Sequence, residues 1–125
     1  MRDHRSLDVF KLADELVVLV YQSTRGFPRE ETYGLVSQLR RSAVSVPTNI
    51  VEGYGRESAA DRNRFLDIAF SSSRELGYLI DLSRRLGYVD SDLGTQLETL
   101  QGRVAAALAA LRRSNPTVKS KRSFR

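Results

Sequence analysis

The sequence predicts an all-α protein, an antiparallel up-down-up-down four-helix bundle with a kinked second helix and a disordered basic C-terminal tail. Three observations carry that expectation. Apolar residues recur at spacings of three and four along four separate stretches. Short breaks holding glycine, proline or N-capping side chains part these stretches, and short connections favour antiparallel neighbours. The second stretch carries a polar stripe beside its apolar one, as a helix packed on two sides would. A chain of 125 residues is one domain by length and can bury a core without staples. Residues 1–113 are assigned to the bundle and residues 114–125 to the tail.

The first helix is expected from Asp8 to about Thr24, with Asp8 as its N-cap and Val9, Leu12, Ala13, Leu16, Leu19 and Val20 on one face. Its VVLV run would suit a strand, but the spacing on both sides outweighs it. Gly26-Phe27-Pro28 ends it, because glycine suits a C-terminal cap and proline cannot continue the ladder. Glu30 and Glu31 then stand where the next helix dipole favours anions.

The second helix spans the segment Tyr33–Arg56. Leu35, Leu39, Ala43, Val46 and Ile50 form its apolar stripe. Gln38, Arg41, Ser45, Asn49 and Glu52 follow the same rhythm, roughly 120° round the axis at about 100° per residue. Pro47 offers no N–H to the Ala43 carbonyl, so a kink or short break is expected there, with Ser45, Thr48 and Asn49 near the freed group. Gly53-Tyr54-Gly55 closes the helix.

Ser58 and Asp61 resemble a capping box for the third helix, expected to reach about Leu86. Phe65, Ile68, Ala69, Ser72, Leu76, Leu79 and Leu86 make one stripe; Leu66, Phe70, Ser73, Gly77 and Ile80 make another. Together they cover about half the circumference, so this helix should bury two sides. Small residues at Ser71–Ser73 and Gly77 would admit a close neighbour. An Asp90/Ser91 cap opens the fourth helix, where Leu93, Leu97, Leu100, Val104, Leu108 and Leu111 keep a near-heptad rhythm.

The net charge of +5 is unevenly placed. Arg112, Arg113, Lys119, Lys121, Arg122 and Arg125 put six positive charges and no negative ones into the last fourteen residues. Without them fourteen basic residues face fifteen acidic ones, a body charge of −1. The basicity belongs to the tail rather than the fold.

Several of these stretches together resemble the bacterial four-helix-bundle family named for open reading frames in ribosomal-RNA intervening sequences. The matching residues are Phe27-Pro28, Tyr33-Gly34-Leu35, the run Gln38–Pro47, Asn49–Gly53 with Arg56, Arg64-Phe65-Leu66, Ala69, Ser72, Glu75-Leu76 and Leu86-Gly87-Tyr88. The likeness extends from Leu7 to Leu111. Val51 stands where the family usually has alanine, and Phe10 where tryptophan is common. The resemblance implies a four-helix bundle and a homo-oligomer, since relatives form ring-like homopentamers. One branch, the accessory proteins of diversity-generating retroelements, binds nucleic acid and a reverse transcriptase through a basic surface. It implies no catalytic residues.

Two sets of side chains are candidates for function. The first is a nucleic-acid surface made of Arg112, Arg113, Lys119, Lys121, Arg122 and Arg125. Arg40, expected to face solvent, could extend it with Arg56, Arg62 and Arg64. Phosphate contacts by such cations give salt-sensitive, sequence-independent affinity, and Phe124 could stack on a base. Against this stand a merely solubilising tail and the interspersed Glu57, Asp61 and Asp67. The second set is the strip Gln38, Arg41, Ser45, Asn49 and Glu52 with Glu75. Its regular spacing along a full helix suits a polar packing network more than a ligand pocket, and a desolvated Arg41 would pair with Glu75 or Glu52.

Other chemistry is not expected. The chain has no cysteine, and its one histidine, His4, lies in the N-terminal segment, so neither a bundle metal site of Glu-x-x-His pairs nor a thiol nucleophile can be assembled, and metal or hydrolytic chemistry would have to rest on carboxylates or serines alone. Gly53-Tyr54-Gly55 lacks the third glycine and the preceding strand of a nucleotide loop. No cofactor is expected, and no catalysis. The N-terminus lacks a signal-peptide core, and the longest aliphatic run, Leu16–Val20, is too short to cross a bilayer. The expectation is a cytoplasmic homo-oligomer, a pentamer, acting as a non-catalytic RNA-associated accessory protein that binds RNA or DNA. The alternative is a structural or adaptor oligomer that binds a protein partner. The two part on salt: nucleic-acid affinity should fall steeply with it and need the tail.

Overall fold

The computed structural model describes residues 7–114, and among these it contains helices and no strand. Helix α1 runs Asp8–Thr24, a short 3₁₀ turn Arg29–Glu31, α2 Leu35–Tyr54, α3 Ala59–Arg85 and α4 Ser91–Arg113. Each helix packs on its two neighbours, α1 on α2 and α4, α3 on α2 and α4, so the four close into a bundle. The α2–α3 hairpin is the most intimate pair.

The three-and-four spacing supplies the core. Leu16, Val20, Val46, Ile50, Leu66, Leu76, Ile80, Val104 and Leu108 are all essentially removed from water. Each contributes about 1.5–3 kcal/mol relative to an exposed position. In α3 the expected stripes divide. Ala69, Leu76 and Leu79 enter the core, while Ile68 and Leu86 stay 45% and 49% exposed. The reason is angular: one helix side faces α2, the core and α4 together, and the outermost members of a half-circumference arc fall outside all three.

Two termini differ from expectation. The N-cap of α1 is Leu7, with no side-chain cap; Asp8 sits in the first turn, where its charge still complements the dipole. Gly26 does not take a left-handed conformation, and α1 ends on a right-handed Arg25. The glycine that does so is Gly87, at φ 76°. There the Gly87 N–H donates to the Arg84 carbonyl and the Tyr88 N–H to that of Ser83, both at 3.0 Å, a Schellman closure of α3. The other two caps form as expected. Ser58 Oγ accepts the Asp61 N–H at 3.1 Å, and Asp90 Oδ1 accepts the Leu93 N–H at 2.8 Å.

Helix α2 stays helical through Pro47, without a break. Asn49 Nδ2 donates to the Ser45 carbonyl at 2.8 Å rather than to Ala43, so it does not serve the group that proline frees. Gly53-Tyr54-Gly55 closes α2 as expected, with Tyr54 its last residue and Gly55 its C-cap.

Candidate functional site

The polar stripe of α2 faces the α3 flank that carries Ser72 and Glu75. Ser45 Oγ and Ser72 Oγ share a hydrogen bond of 2.8 Å, and Asn49 Nδ2 reaches Ser45 Oγ at 3.1 Å. Above this hydroxyl floor lies an open groove of about 330 Å³, lined by Gln38, Arg41, Ser42, Ser45, Ser72 and Glu75. The structure therefore brings most of the second candidate set together. It departs from expectation on the charges. Arg41 and Glu75 are both exposed and are not within ion-pair distance of each other or of any described group. Glu52 points away along its own helix, 3.4 Å from Arg56. An exposed guanidinium stays solvated, so it lacks the desolvation cost that would have forced the pairing.

The first candidate set is dispersed. Arg40 is half-buried rather than solvent-facing. Its Nε donates to Thr24 Oγ1 at 2.9 Å, and its guanidinium lies 4.5 Å from the centre of the Tyr21 ring, tying α2 to α1. Arg56 is paired with Glu52 and lies over Phe65 at 4.8 Å. Arg112 belongs to the bundle and not to the tail. Its Nε donates to Asp67 Oδ1 at 2.8 Å and its guanidinium lies 4.4 Å from the Phe70 ring. Arg113 closes α4 with no ion pair among the described residues. Lys119, Lys121, Arg122 and Arg125 lie outside the described residues. Arg62 and Arg64 lie near the Tyr54 and Phe65 rings, at 5.7 and 5.9 Å.

Sequence reasoning did not place Ser42 or Ser72 in the groove, nor pair Asp67 with Arg112. Ser72 was visible as part of a small-residue run. Setting α2 antiparallel to α3 through their short connection would have placed it opposite Ser45.

At the start of α2 Glu31 joins three elements. Its Oε1 accepts the Leu35 N–H at 3.1 Å, at the start of α2, and its Oε2 accepts the Tyr88 hydroxyl at 2.8 Å. Tyr88 also packs on Phe27 at a ring separation of 5.2 Å. The bond to Glu31 raises the Tyr88 phenol above its ordinary value of 10.0, aided by desolvation and by the negative charges of Glu31 and Glu30. Among the described residues no group of three or more His, Cys, Asp or Glu side chains is arranged to hold a metal ion. None of the described helices is long and apolar enough to cross a membrane.

The fold and the groove define an all-helical bundle protein with a polar cleft along one hairpin. More particularly, residues 5–110 match the family described as 23S rRNA-intervening sequence protein, and the chain belongs to that family. A crystal structure of a protein of unknown function from the S23 ribosomal protein family of Bacteroides thetaiotaomicron has the same fold. It superposes with a TM-score of 0.76 at 21% identity, over 85% of this chain and 99% of that one. No curated protein is detectably similar to the chain.

Proposed function

We propose that this chain is a non-catalytic, RNA-associated accessory protein of the cytoplasm that works as a homo-oligomer, a pentamer. The observation that carries this is the charge distribution. The last fourteen residues hold six positive and no negative charges, on a body of charge −1. The family's link to ribosomal-RNA intervening sequences supports RNA over other polyanions. Arg112 is already committed to Asp67, so the proposal rests on Arg113 with Lys119, Lys121, Arg122 and Arg125, the last four outside the described residues. Five weak tails on one ring would add by avidity, which can exceed single-site affinity by roughly 10² to 10⁴.

The test is a titration of a structured RNA and a duplex DNA against the full chain and a form ending at Ser114, across a salt series. Each phosphate contact contributes about 0.9 to the logarithmic salt slope on duplex DNA and about 0.7 on single strands, so losing four cations should flatten it by up to about 3–4 for each tail engaged. Binding that is absent at low salt overturns the proposal. A second reading, an adaptor for a protein partner, is favoured by the α2–α3 groove, whose Arg41 and Glu75 have no ion-pair partner among the described residues. That reading predicts capture of a specific protein that survives both truncation and moderate salt.

A further inference from the structure

We infer that the α2–α3 groove is a binding site for a small zwitterion of the free amino acid class, with Arg41 taking its carboxylate and Glu75 its ammonium. Nothing in the nucleic-acid proposal requires this site, and the two stand or fall separately. The inference starts from the missing ion pair. Arg41 and Glu75 line one groove, on adjacent helices, and do not meet. Four pairs of opposite charge do form among the described residues: Arg56 with Glu52, Arg84 with Glu98, Arg85 with Asp81 and Arg112 with Asp67. Between Arg41 and Glu75 lies about 330 Å³ instead, at the lower end of the range that small-molecule sites occupy.

The lining restricts what can enter. All six lining residues are polar, so the groove offers an apolar ligand little. A phosphate or dicarboxylate would meet Glu75 as well as Arg41, and a polyamine would meet Arg41 as well as Glu75. A ligand bearing one charge of each sign satisfies both. A guanidinium offers a planar fork that a carboxylate matches bidentately, and a carboxylate accepts readily from an ammonium. Gln38 can both donate and accept, which suits a polar side chain on the ligand. The floor is already fixed, because Ser45 is held by Ser72 and by Asn49. Both charges are exposed and hydrated before binding, so the affinity should be modest, with Kd on the order of 1 mM.

The experiment is a nitrogen–proton correlation titration of the full chain with L-glutamine and L-arginine, against acetate, ethylamine and inorganic phosphate as single-charge controls. Saturable shifts at the Ser45 and Ser72 amides and the Arg41 side chain, produced by the amino acids and not by the controls, support the inference. Arg41→Ala and Glu75→Gln should each weaken the response at least tenfold. Both residues are exposed, so both variants should fold, which helical circular dichroism checks. Three results overturn the inference: no saturable shift up to tens of millimolar, equal shifts from acetate or ethylamine alone, or a fall in oligomer mass in either variant. The last would make the groove a contact between copies instead.

Discussion

Tyr88 stands 57 positions from Glu31 in the chain, yet its hydroxyl is held by that carboxylate. The same carboxylate caps α2 at Leu35, so one side chain joins the start of α2 to the α3–α4 turn. Ionising Tyr88 would turn a donor into a second anion facing Glu31. Its folded-state pKa lies above the unfolded value, so the protonated phenol is favoured in the fold. The associated stability is fully present below pH about 10 and is lost as pH rises through the higher folded value. Thermal unfolding followed from pH 7 upward should show the wild type losing more stability above pH about 10 than Tyr88→Phe does. Superimposable alkaline limbs would refute the coupling. No local pattern points to this contact. The sequence shows Gly87-Tyr88 as a turn and Glu31 as an anion near a helix start; that they meet depends on how two hairpins stack. Arg112 and Asp67, 45 positions apart, were equally hidden.

At the scale of the helix, spacing and caps were legible because they are local. The bounds of α1 and the Ser58 and Asp90 caps depend on residues within four positions of one another. What spacing does not report is where two backbones come closest. Gly53, in the closing turn of α2, also lies against α3. A Cβ there would lie 3.1 Å from Phe65 Cβ and 3.2 Å from the Arg62 carbonyl oxygen, neither of which is the end of a flexible side chain. Gly77, expected to admit a neighbour, meets the Gln101 amide of α4. Gly102 has nothing within 4 Å. The two extremes give opposite predictions for one chemical change. Gly102→Ala should stabilise α4 by about 1 kcal/mol through helix propensity. Gly53→Ala gains the same propensity but incurs roughly 1–3 kcal/mol of overpacking, for a net loss of up to about 2 kcal/mol. Urea midpoints of the two variants decide it: a gain at both positions would mean that α2 and α3 can separate freely.

For the whole molecule, the order and direction of the helices followed from short connections, while the outward face of each did not. That face depends on the rotation of one helix against another, which pairs such as Ser45 with Ser72 fix across 27 positions. Ile68 shows the consequence. It belongs to an apolar stripe broad enough to predict two buried sides for α3, yet it is 45% exposed in the single chain. Leu86, on the same stripe, is 49% exposed. A soluble surface can carry isolated apolar residues without explanation, so exposure alone does not decide for an interface. A substitution separates the cases. If copies of the chain assemble over this flank, Ile68→Asp buries an unpaired charge at the contact, and light scattering at micromolar concentration should show the mass falling towards the 14.1 kDa of one chain. Helicity and the urea midpoint of the dissociated chain should hold, because Ile68 contributes little to the core of the monomer. A wild type that already scatters as a monomer removes the oligomer from the proposed function and with it the avidity of five tails. An assembled wild type unaffected by Ile68→Asp keeps the oligomer and moves its contacts to another face. The exposed Val18 and Tyr21 of α1 and Val44 and Val51 of α2 are then the next apolar positions to charge.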